Sequence, residues 1–108
     1  SASLSISNWI KQQSQDVNLI IGMMKDKDHY EFIKIFEGIV KSITLINIPN
    51  NEGAILKEQL KEKLINIKTS ISLSNSIEES IHSISSSNNN IILCLGSLYL
   101  CGEILKLN

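Results

Sequence analysis

One stretch of this sequence constrains the fold more than any other: an apolar run over 91–95 that is followed at once by Gly96 and Ser97. A strand without polar alternation is buried on both faces, which is typical of a parallel sheet covered by helices. Beyond the turn, apolar residues recur at helical spacing at Leu98, Cys101, Ile104 and Leu105. The sequence therefore predicts a buried strand, a sharp turn and a helix.

The turn itself is suited to an anion. Gly96 permits a tight reversal, and the Ser97 side chain satisfies free N–H groups at a helix start. If the strand lies centrally in a parallel sheet, this helix start lies at the carboxyl edge, where ligands bind in open α/β sheets. Helix N-termini also favour negative charge. From the pattern alone, an equally good interpretation is that the stretch is only the last strand–helix unit of a packed core.

Before this stretch, strands alternate with helices. We predict helices over 1–13, from residue 28, over 56–64 and from residue 76, and strands over 17–24, 42–48 and 67–71. Such alternation implies parallel pairing through right-handed crossovers. The sequence therefore predicts one domain, residues 1–108, of the α/β class, with a doubly wound, mostly parallel sheet flanked by helices. Because such domains usually open on a strand, we expect that a first strand precedes residue 1 and that the incomplete sheet favours self-association.

Two capping boxes support the helix starts. Asp28 is followed three residues later by Glu31, and Ser76 by Glu79, which is the spacing of reciprocal caps. The apolar faces predicted from helical spacing are Leu4, Ile6, Trp9 and Ile10; Tyr30, Ile33, Phe36, Ile39 and Val40; Leu56, Leu60 and Leu64; and Ile77, Ile81 and Ile84. On the third helix, the residues expected to face water are Lys57, Glu58, Lys61 and Glu62.

Composition excludes several classes of partner. The net charge is −1, all ten basic residues are lysines and aromatic residues make up 5%. The chain therefore lacks the arginine forks and stacking platforms with which proteins recognise nucleic acids. No apolar run approaches the roughly 20 residues of a membrane-spanning helix, and the start lacks the pattern of a secretory signal. We expect a cytoplasmic protein, with no membrane partner, in which Cys94 and Cys101 are buried thiols rather than a disulfide.

Little in the sequence predicts chemistry directly. There is no phosphate-binding loop of the form G-x-x-x-x-G-K-[ST], no G-x-G-x-x-G after a strand and no metal-ligand spacing. His29 and His82 stand alone, and we expect both to be solvated. Two places remain: the charged turn over 25–28, after the first strand, and Gly96 with Ser97, after the last. In a parallel sheet both lie at the same edge, although the simpler interpretation of the first is a solvated turn with a helix cap.

The same two places carry a resemblance to a known family. The segments 22–28 and 96–103 read G-M-M-K-D-K-D and G-S-L-Y-L-C-G-E. They resemble the motifs G-M-x-x-D-K-D and G-S-x-Y-x-x-G-E, each of which ends a strand in the C-terminal domain of the folylpolyglutamate synthases, a family related to the Mur peptide ligases. The segment 75–81 also lies where that family has a helix before the last strand. The resemblance covers nearly the whole chain and implies a Rossmann-like fold.

The resemblance implies part of an ATP-dependent ligase. In the family, ATP phosphorylates the γ-carboxylate of a folate glutamyl tail, and the amine of L-glutamate attacks the acyl phosphate. ATP and Mg²⁺ are held mainly by an N-terminal ATPase domain, while the C-terminal domain closes over the cleft. By motif match, Ser97 contacts glutamate, with Gly96 and Tyr99 beside it. The residues implied to line the cleft are Asp26, Lys27 and Asp28, and none of them is assigned a catalytic step or a metal.

One departure from the family pattern matters. The family has a segment Asp-Gly-Ala-His-Asn just before the helix that begins here at residue 1, and this chain does not contain it. The resemblance therefore implies a truncated domain of a larger enzyme of folate biosynthesis and one-carbon metabolism, which binds no cofactor and has no ligase activity by itself. Two alternatives stay open. One is a Mur-type muramoyl-peptide ligase, which the G-S-x-Y form disfavours, and the other is a non-catalytic receiver-like module, which would need a lysine after a late strand.

Overall fold

A computed structural model describes residues 2–84, 90–96 and 103–107 of the chain. Helices and strands alternate along the chain until the last element, which is a strand. Their bounds are α1 Ala2–Lys11, β1 Asp16–Gly22, α2 His29–Lys34, β2 Ser42–Leu45, α3 Lys57–Lys63, β3 Ile71–Leu73, α4 Ile77–Ile84, β4 Asn90–Gly96 and β5 Glu103–Leu107. The predicted order of elements is therefore confirmed as far as β4.

The strands form one sheet in the order β3-β2-β1-β4-β5. The first four are parallel, and β5 runs antiparallel to β4. Helices α2, α3 and α4 each follow one parallel strand and lead to the next, as strand–helix–strand crossovers require. The predicted α/β class, with a mostly parallel, Rossmann-like sheet flanked by helices, is confirmed.

The central strands are buried on both faces because successive side chains of a strand point to opposite sides. In β1, Leu19 and Ile21 belong to the larger apolar cluster, to which the first three helices contribute, whereas Ile20 belongs to a second cluster on the other face. The side chains that cover this second cluster are those predicted for α4, Ile77, Ile81 and Ile84. Two-sided burial explains the apolar run over 91–95, in which no residue is more than 3% exposed.

The prediction of a helix beyond Gly96 is wrong for the last part of that segment. Glu103–Leu107 is a strand that pairs antiparallel with β4. A segment of this length is too short for its apolar spacing to separate a helix from a strand. The outer side of β4 also has backbone N–H and C=O groups that need partners. Two residues of the predicted helical stripe thus lie in a strand, Ile104 and Leu105, and the other two, Leu98 and Cys101, lie outside the described residues.

Two other predicted strands have different bounds. The strand predicted over 67–71 is β3, Ile71–Leu73, because Ile67 still belongs to the turn after α3, where its N–H donates to the Leu64 carbonyl at 2.9 Å. The strand predicted over 42–48 pairs as β2 only as far as Leu45. Strand β2 is shorter because the chain then turns across the end of β1.

Two residues that were predicted on the apolar faces of helices are exposed. Leu4 and Leu56 are 52% and 51% exposed. Leu56 has extended backbone as the residue before α3, so helical spacing does not reach it. In α1 the small side chains of Ser3 and Ser7 are buried in place of Leu4. Hydrophobicity alone therefore did not predict the packed face of α1.

Lys57, predicted to face water, is only 8% exposed. Its Nζ donates to the Ser74 carbonyl at 2.9 Å and to Asn75 Oδ1 at 3.0 Å. Its backbone N–H donates to Asn47 Oδ1 at 2.7 Å. The first residue of α3 thereby ties the helix to the segments that follow β2 and β3. The charge pattern of the helix gave no sign of this, because all three acceptors are uncharged.

Three smaller expectations are also tested. The Ser76–Glu79 capping box is confirmed on its serine side, since Glu79 N–H donates to Ser76 Oγ at 3.1 Å. Cys94 is a buried thiol, as expected, and Cys101 lies outside the described residues. Among the helices that the structure describes, none has the length and apolar character needed to cross a bilayer.

An ion pair joins the end of α2 to the segment before β3. Lys34 Nζ donates to Glu37 Oε1, and Glu37 Oε2 accepts from the Lys68 N–H at 2.6 Å. The bond from Lys34, followed by that from the Lys68 N–H, lowers the pKa of Glu37. The same bond raises the pKa of Lys34. The pair is at the surface, so we expect its effect on stability to be small.

We expect Glu37→Gln to lower the melting temperature near neutral pH and to lose this effect in acid. A carboxyl whose pKa is lower in the folded chain stabilises the fold above its unfolded pKa, and the stabilisation disappears as the pH falls through the folded pKa. The difference in melting temperature from wild type should therefore shrink between about pH 6 and pH 3. Glu52→Gln, at an exposed loop position, is the control. A difference that stays constant across this range contradicts the assignment.

Candidate functional site

The carboxyl ends of β1 and β4 lie side by side. The two strands are parallel neighbours, and their last residues, Gly22 and Gly96, are register partners. The charged turn over 25–28 follows β1 directly, so it shares one edge of the sheet with Gly96, as predicted. Ser97 and Tyr99, the other two residues that the resemblance places here, lie outside the residues that the structure describes.

Gly22 lets another segment cross the end of β1. A Cβ atom at this position would lie 2.9 Å from Ile48 Cγ1 and 3.4 Å from the Ile46 carbonyl oxygen. Both neighbours are buried, so they have little freedom to move away. The segment over 46–48 thereby packs against the end of β1, and a side chain at residue 22 would push it outward.

The loop before α3 braces the loop after β1. Lys25 N–H donates to the Gly53 carbonyl at 2.8 Å, and Ile55 N–H donates to the Met23 carbonyl at 3.0 Å. Between these two bonds, Met24 and Ala54 form an antiparallel bridge. This loop lies between the predicted strand over 42–48 and the predicted helix over 56–64. The structure makes it the support that holds the start of the charged turn in place.

The prediction that His29 is solvated is wrong. The residue is 5% exposed, and its Nε2 donates to the Met24 carbonyl at 2.8 Å. The imidazole therefore folds back from the first turn of α2 and closes the loop that leads to it. A lone histidine next to a capping aspartate gives no signal of this contact, because the acceptor is a backbone carbonyl. His82, by contrast, is exposed as expected.

The charged side chains of the turn reach solvent. The exposed residues are Lys25, Asp26, Lys27 and Asp28. Asp28 also caps α2, since its Oδ1 accepts from the Glu31 N–H at 3.4 Å, which confirms the aspartate side of the predicted capping box. One carboxylate is thus engaged in the helix start. The turn presents two ammonium groups and the Asp26 carboxylate at the sheet edge.

A polar cavity of about 320 Å³ opens beside this turn. Its walls are formed by Lys27, Asp28, His29, Tyr30 and Lys63. Lys63 comes from α3, and sequence reasoning missed it because only the packing of α3 brings it here. A carboxylate near either ammonium gains about 1 kcal/mol or less in such an open place, because water screens the charges. The cavity is therefore suited to a small acid that several weak contacts hold together.

The described residues form no metal-binding cluster. In the ranges 2–84, 90–96 and 103–107, no three His, Cys, Asp or Glu side chains come together in a way that could hold a metal ion. These residues therefore do not fit a Mg²⁺ ion. The helix start that we expected to bind an anion at Ser97 lies outside the described residues.

Neither a protein-family model nor a curated protein matches this sequence. A solved structure does match, the crystal structure of Helicobacter pylori folylpolyglutamate synthetase, with a TM-score of 0.67 and 21% sequence identity over 92% of this chain. The match covers 24% of the H. pylori chain, so this chain spans about a quarter of that enzyme. At this identity the likeness establishes a shared fold. The Rossmann-like fold that the resemblance implies is therefore confirmed.

Proposed function

We propose that this chain is the glutamate-binding part of an ATP-dependent ligase of the folylpolyglutamate synthase type. One observation carries the proposal: the register pair of Gly22 and Gly96 places the first residues of the two motif-like segments side by side at one edge of the sheet. The fold shared with the H. pylori enzyme supports the same family. In this proposal the whole enzyme works in the cytoplasm, and its N-terminal ATPase domain, a folate and L-glutamate are the partners of the chain.

The proposed reaction forms one amide bond. ATP, held with Mg²⁺ by the ATPase domain, supplies the phosphoryl group that activates the γ-carboxylate of the folate tail. The nitrogen of L-glutamate attacks the acyl carbon, a C–N bond forms, the C–O bond to phosphate breaks, and the amine releases a proton. This chain contributes no group to the bond changes. Its role is to hold the attacking amine near the acyl phosphate, which replaces an encounter in solution by a positioned reaction.

The residues of the sheet edge have distinct roles in this proposal. Lys27 and Lys63, which line the polar cavity, attract the carboxylates of L-glutamate, and Lys25 adds a third positive charge at the edge. The backbone at Gly96 and the hydroxyl of Ser97 donate hydrogen bonds to one carboxylate. L-glutamate has two carboxylates and one ammonium, so its net charge is −1. Together with the carboxylates of Asp26 and Asp28, this charge balances the three lysines, and the occupied cluster is close to neutral.

The proposal is tested by ligand-observed saturation-transfer NMR with L-glutamate. We expect binding at millimolar concentration, and a loss of at least about fivefold in affinity when Lys25 and Lys27 are both replaced by alanine, since two screened contacts disappear. The matched control removes the same charge elsewhere, with Lys11→Ala and Lys68→Ala at exposed positions. Equal losses in both double variants would reduce the effect to net charge and contradict the proposed site.

The isolated chain should also show no ligase turnover with ATP, L-glutamate and a reduced folate. The chain has no phosphate-binding loop, and the proposal assigns activation of the folate to another domain. Release of ADP together with a lengthened folate is the measured product. Measurable turnover by the chain alone would contradict the assignment of ATP binding to the rest of the enzyme.

A further inference from the structure

Strand β3 leaves one side of the sheet open. It is the last strand on its side, and it pairs only with β2 among the described strands. Ile43 N–H donates to the Ser70 carbonyl at 2.9 Å, and Ser74 N–H donates to the Leu45 carbonyl at 3.0 Å. Alternate residues of a parallel strand bond to the same neighbour, so the backbone groups of the residues between them, at positions 71 and 73, face outward. This edge is a template for another strand.

An apolar groove of about 540 Å³ runs along this edge. Its floor is formed by side chains of β3 and of the turn after α3, namely Leu64, Ile65, Ile67, Ile71 and Leu73. Ile65 is 83% exposed and Leu73 is 37% exposed. Exposed apolar side chains next to unpaired strand edges are typical of surfaces that bind other chains.

The charges on the rim of the groove fit a second copy of this chain. The rim belongs to α3 and carries Glu58, Lys61 and Glu62. If two β3 strands pair antiparallel, the two-fold axis passes through the middle residue of the strand, Ser72, and Ile71 of one copy lies opposite Leu73 of the other. Both residues lie on the groove side of the sheet, so the two grooves join.

The same axis brings opposite charges together. The stripe of α3 and its following turn that lines the groove is Glu58, Lys61, Glu62 and Ile65, and its middle lies between Lys61 and Glu62. A crossover helix runs antiparallel to the strands that it connects. The stripe lies along Ile71 and Leu73 of β3, whose middle is Ser72, so the axis through Ser72 passes α3 between Lys61 and Glu62. In a two-fold symmetric pair, Lys61 of each copy then faces Glu62 of the other, so the same contact occurs twice.

We propose that two copies of this chain associate through antiparallel pairing of β3, with Lys61 of each copy facing Glu62 of the other. The interface continues the sheet across the two-fold axis and covers Ile65 and Leu73. It is independent of the proposed ligase site, which lies at the carboxyl ends of β1 and β4. The edge is only three residues long, so the dimer is weak, with a dissociation constant on the order of micromolar or above.

Analytical ultracentrifugation of the chain tests this arrangement over a series of concentrations. We expect a monomer–dimer equilibrium that Leu73→Lys weakens at least tenfold, because the variant places a charge in the apolar interface. Leu4→Lys is the matched control, since Leu4 is similarly exposed on α1 and should leave the equilibrium unchanged. A chain that stays monomeric at all concentrations, or a dimer that is indifferent to Leu73→Lys, would overturn the proposal.

Charge exchange gives a second test that does not depend on the apolar contact. Lys61→Glu and Glu62→Lys each place like charges opposite each other twice, so each variant alone should dimerise about tenfold more weakly than wild type. An equal mixture of the two variants restores both opposite-charge pairs and should form heterodimers with the wild-type affinity. The double variant Lys61→Glu/Glu62→Lys should also recover. Failure of the mixture to associate would exclude the two-fold axis.

Discussion

Replacing Phe36 by alanine is expected to lower the free energy of unfolding by about 3–5 kcal/mol. Phe36 has no exposed surface, and its ring packs edge to face on Phe32 with the centroids 5.8 Å apart. It belongs to the larger apolar cluster between the sheet and α1 to α3. Because a domain of this kind has a total stability of only about 5–15 kcal/mol, one truncation removes a large share of it.

Equilibrium unfolding in urea measures this loss. Leu4→Ala is the matched truncation at an exposed position, and we expect it to change the free energy of unfolding by no more than about 0.5 kcal/mol. Phe36→Leu keeps most of the buried volume and should lie between the two. A loss below about 1 kcal/mol for Phe36→Ala would mean that the cluster collapses around the missing ring or is not packed as described.

Gly22→Ala is expected to destabilise the chain by about 1–3 kcal/mol and to distort the candidate site. The new Cβ atom would lie 2.9 Å from Ile48 Cγ1, and this side chain is buried. The segment over 46–48 must then shift from the end of β1. We therefore expect the variant to bind L-glutamate more weakly even under conditions where it is fully folded.

Gly38→Ala separates the steric effect from the effect of backbone conformation. Gly38 has φ +79 and open space around its Cα atom, so alanine there should cost about 1–2 kcal/mol through the left-handed conformation alone. It lies far from the carboxyl edge, between α2 and β2, and should leave L-glutamate binding unchanged. Equal binding losses in the two variants would show that general destabilisation, and not the displaced segment, explains the result.

The parts of the fold that were predicted correctly are those with a local and periodic cause. The apolar run over 91–95 has one physical explanation, burial on both faces, and β4 is buried in that way. The two helix caps need only residues three apart, and both Asp28 and Ser76 accept the expected backbone N–H. Alternation of strands and helices was sufficient to predict a parallel sheet.

The errors come from contacts that the local sequence pattern does not show. The segment over 103–107 is a strand because β4 offers it an unpaired edge, and its own spacing does not show this. Lys57 is buried because its Nζ donates to the Ser74 carbonyl, and His29 because its ring donates to the Met24 carbonyl. Lys63 was missed because only the packing of α3 brings it to the candidate site. A hydrogen bond from a charged or polar side chain to a neutral backbone carbonyl has no characteristic sequence pattern.

The shared edge of the sheet was predicted. Turns that follow parallel strands share the carboxyl edge of a sheet, and the pairing of Gly22 with Gly96 puts the ends of β1 and β4 side by side there. The bracing of the charged turn by the loop before α3 was not predicted, since it depends on two backbone hydrogen bonds between turns. The roles of Ser97 and Tyr99 still rest on the motif alone.

The most direct test of the proposed function is to map where L-glutamate binds, by following the backbone amide resonances of the isotopically labelled chain during a titration. We predict concentration-dependent shifts for residues 22–28 and for Gly96, and smaller shifts or none in β3 and at the amino ends of the strands. A glutamate-dependent map confined to the β3 groove, or the absence of any saturable shift at the carboxyl edge, would contradict the assignment of this edge as a glutamate-binding site.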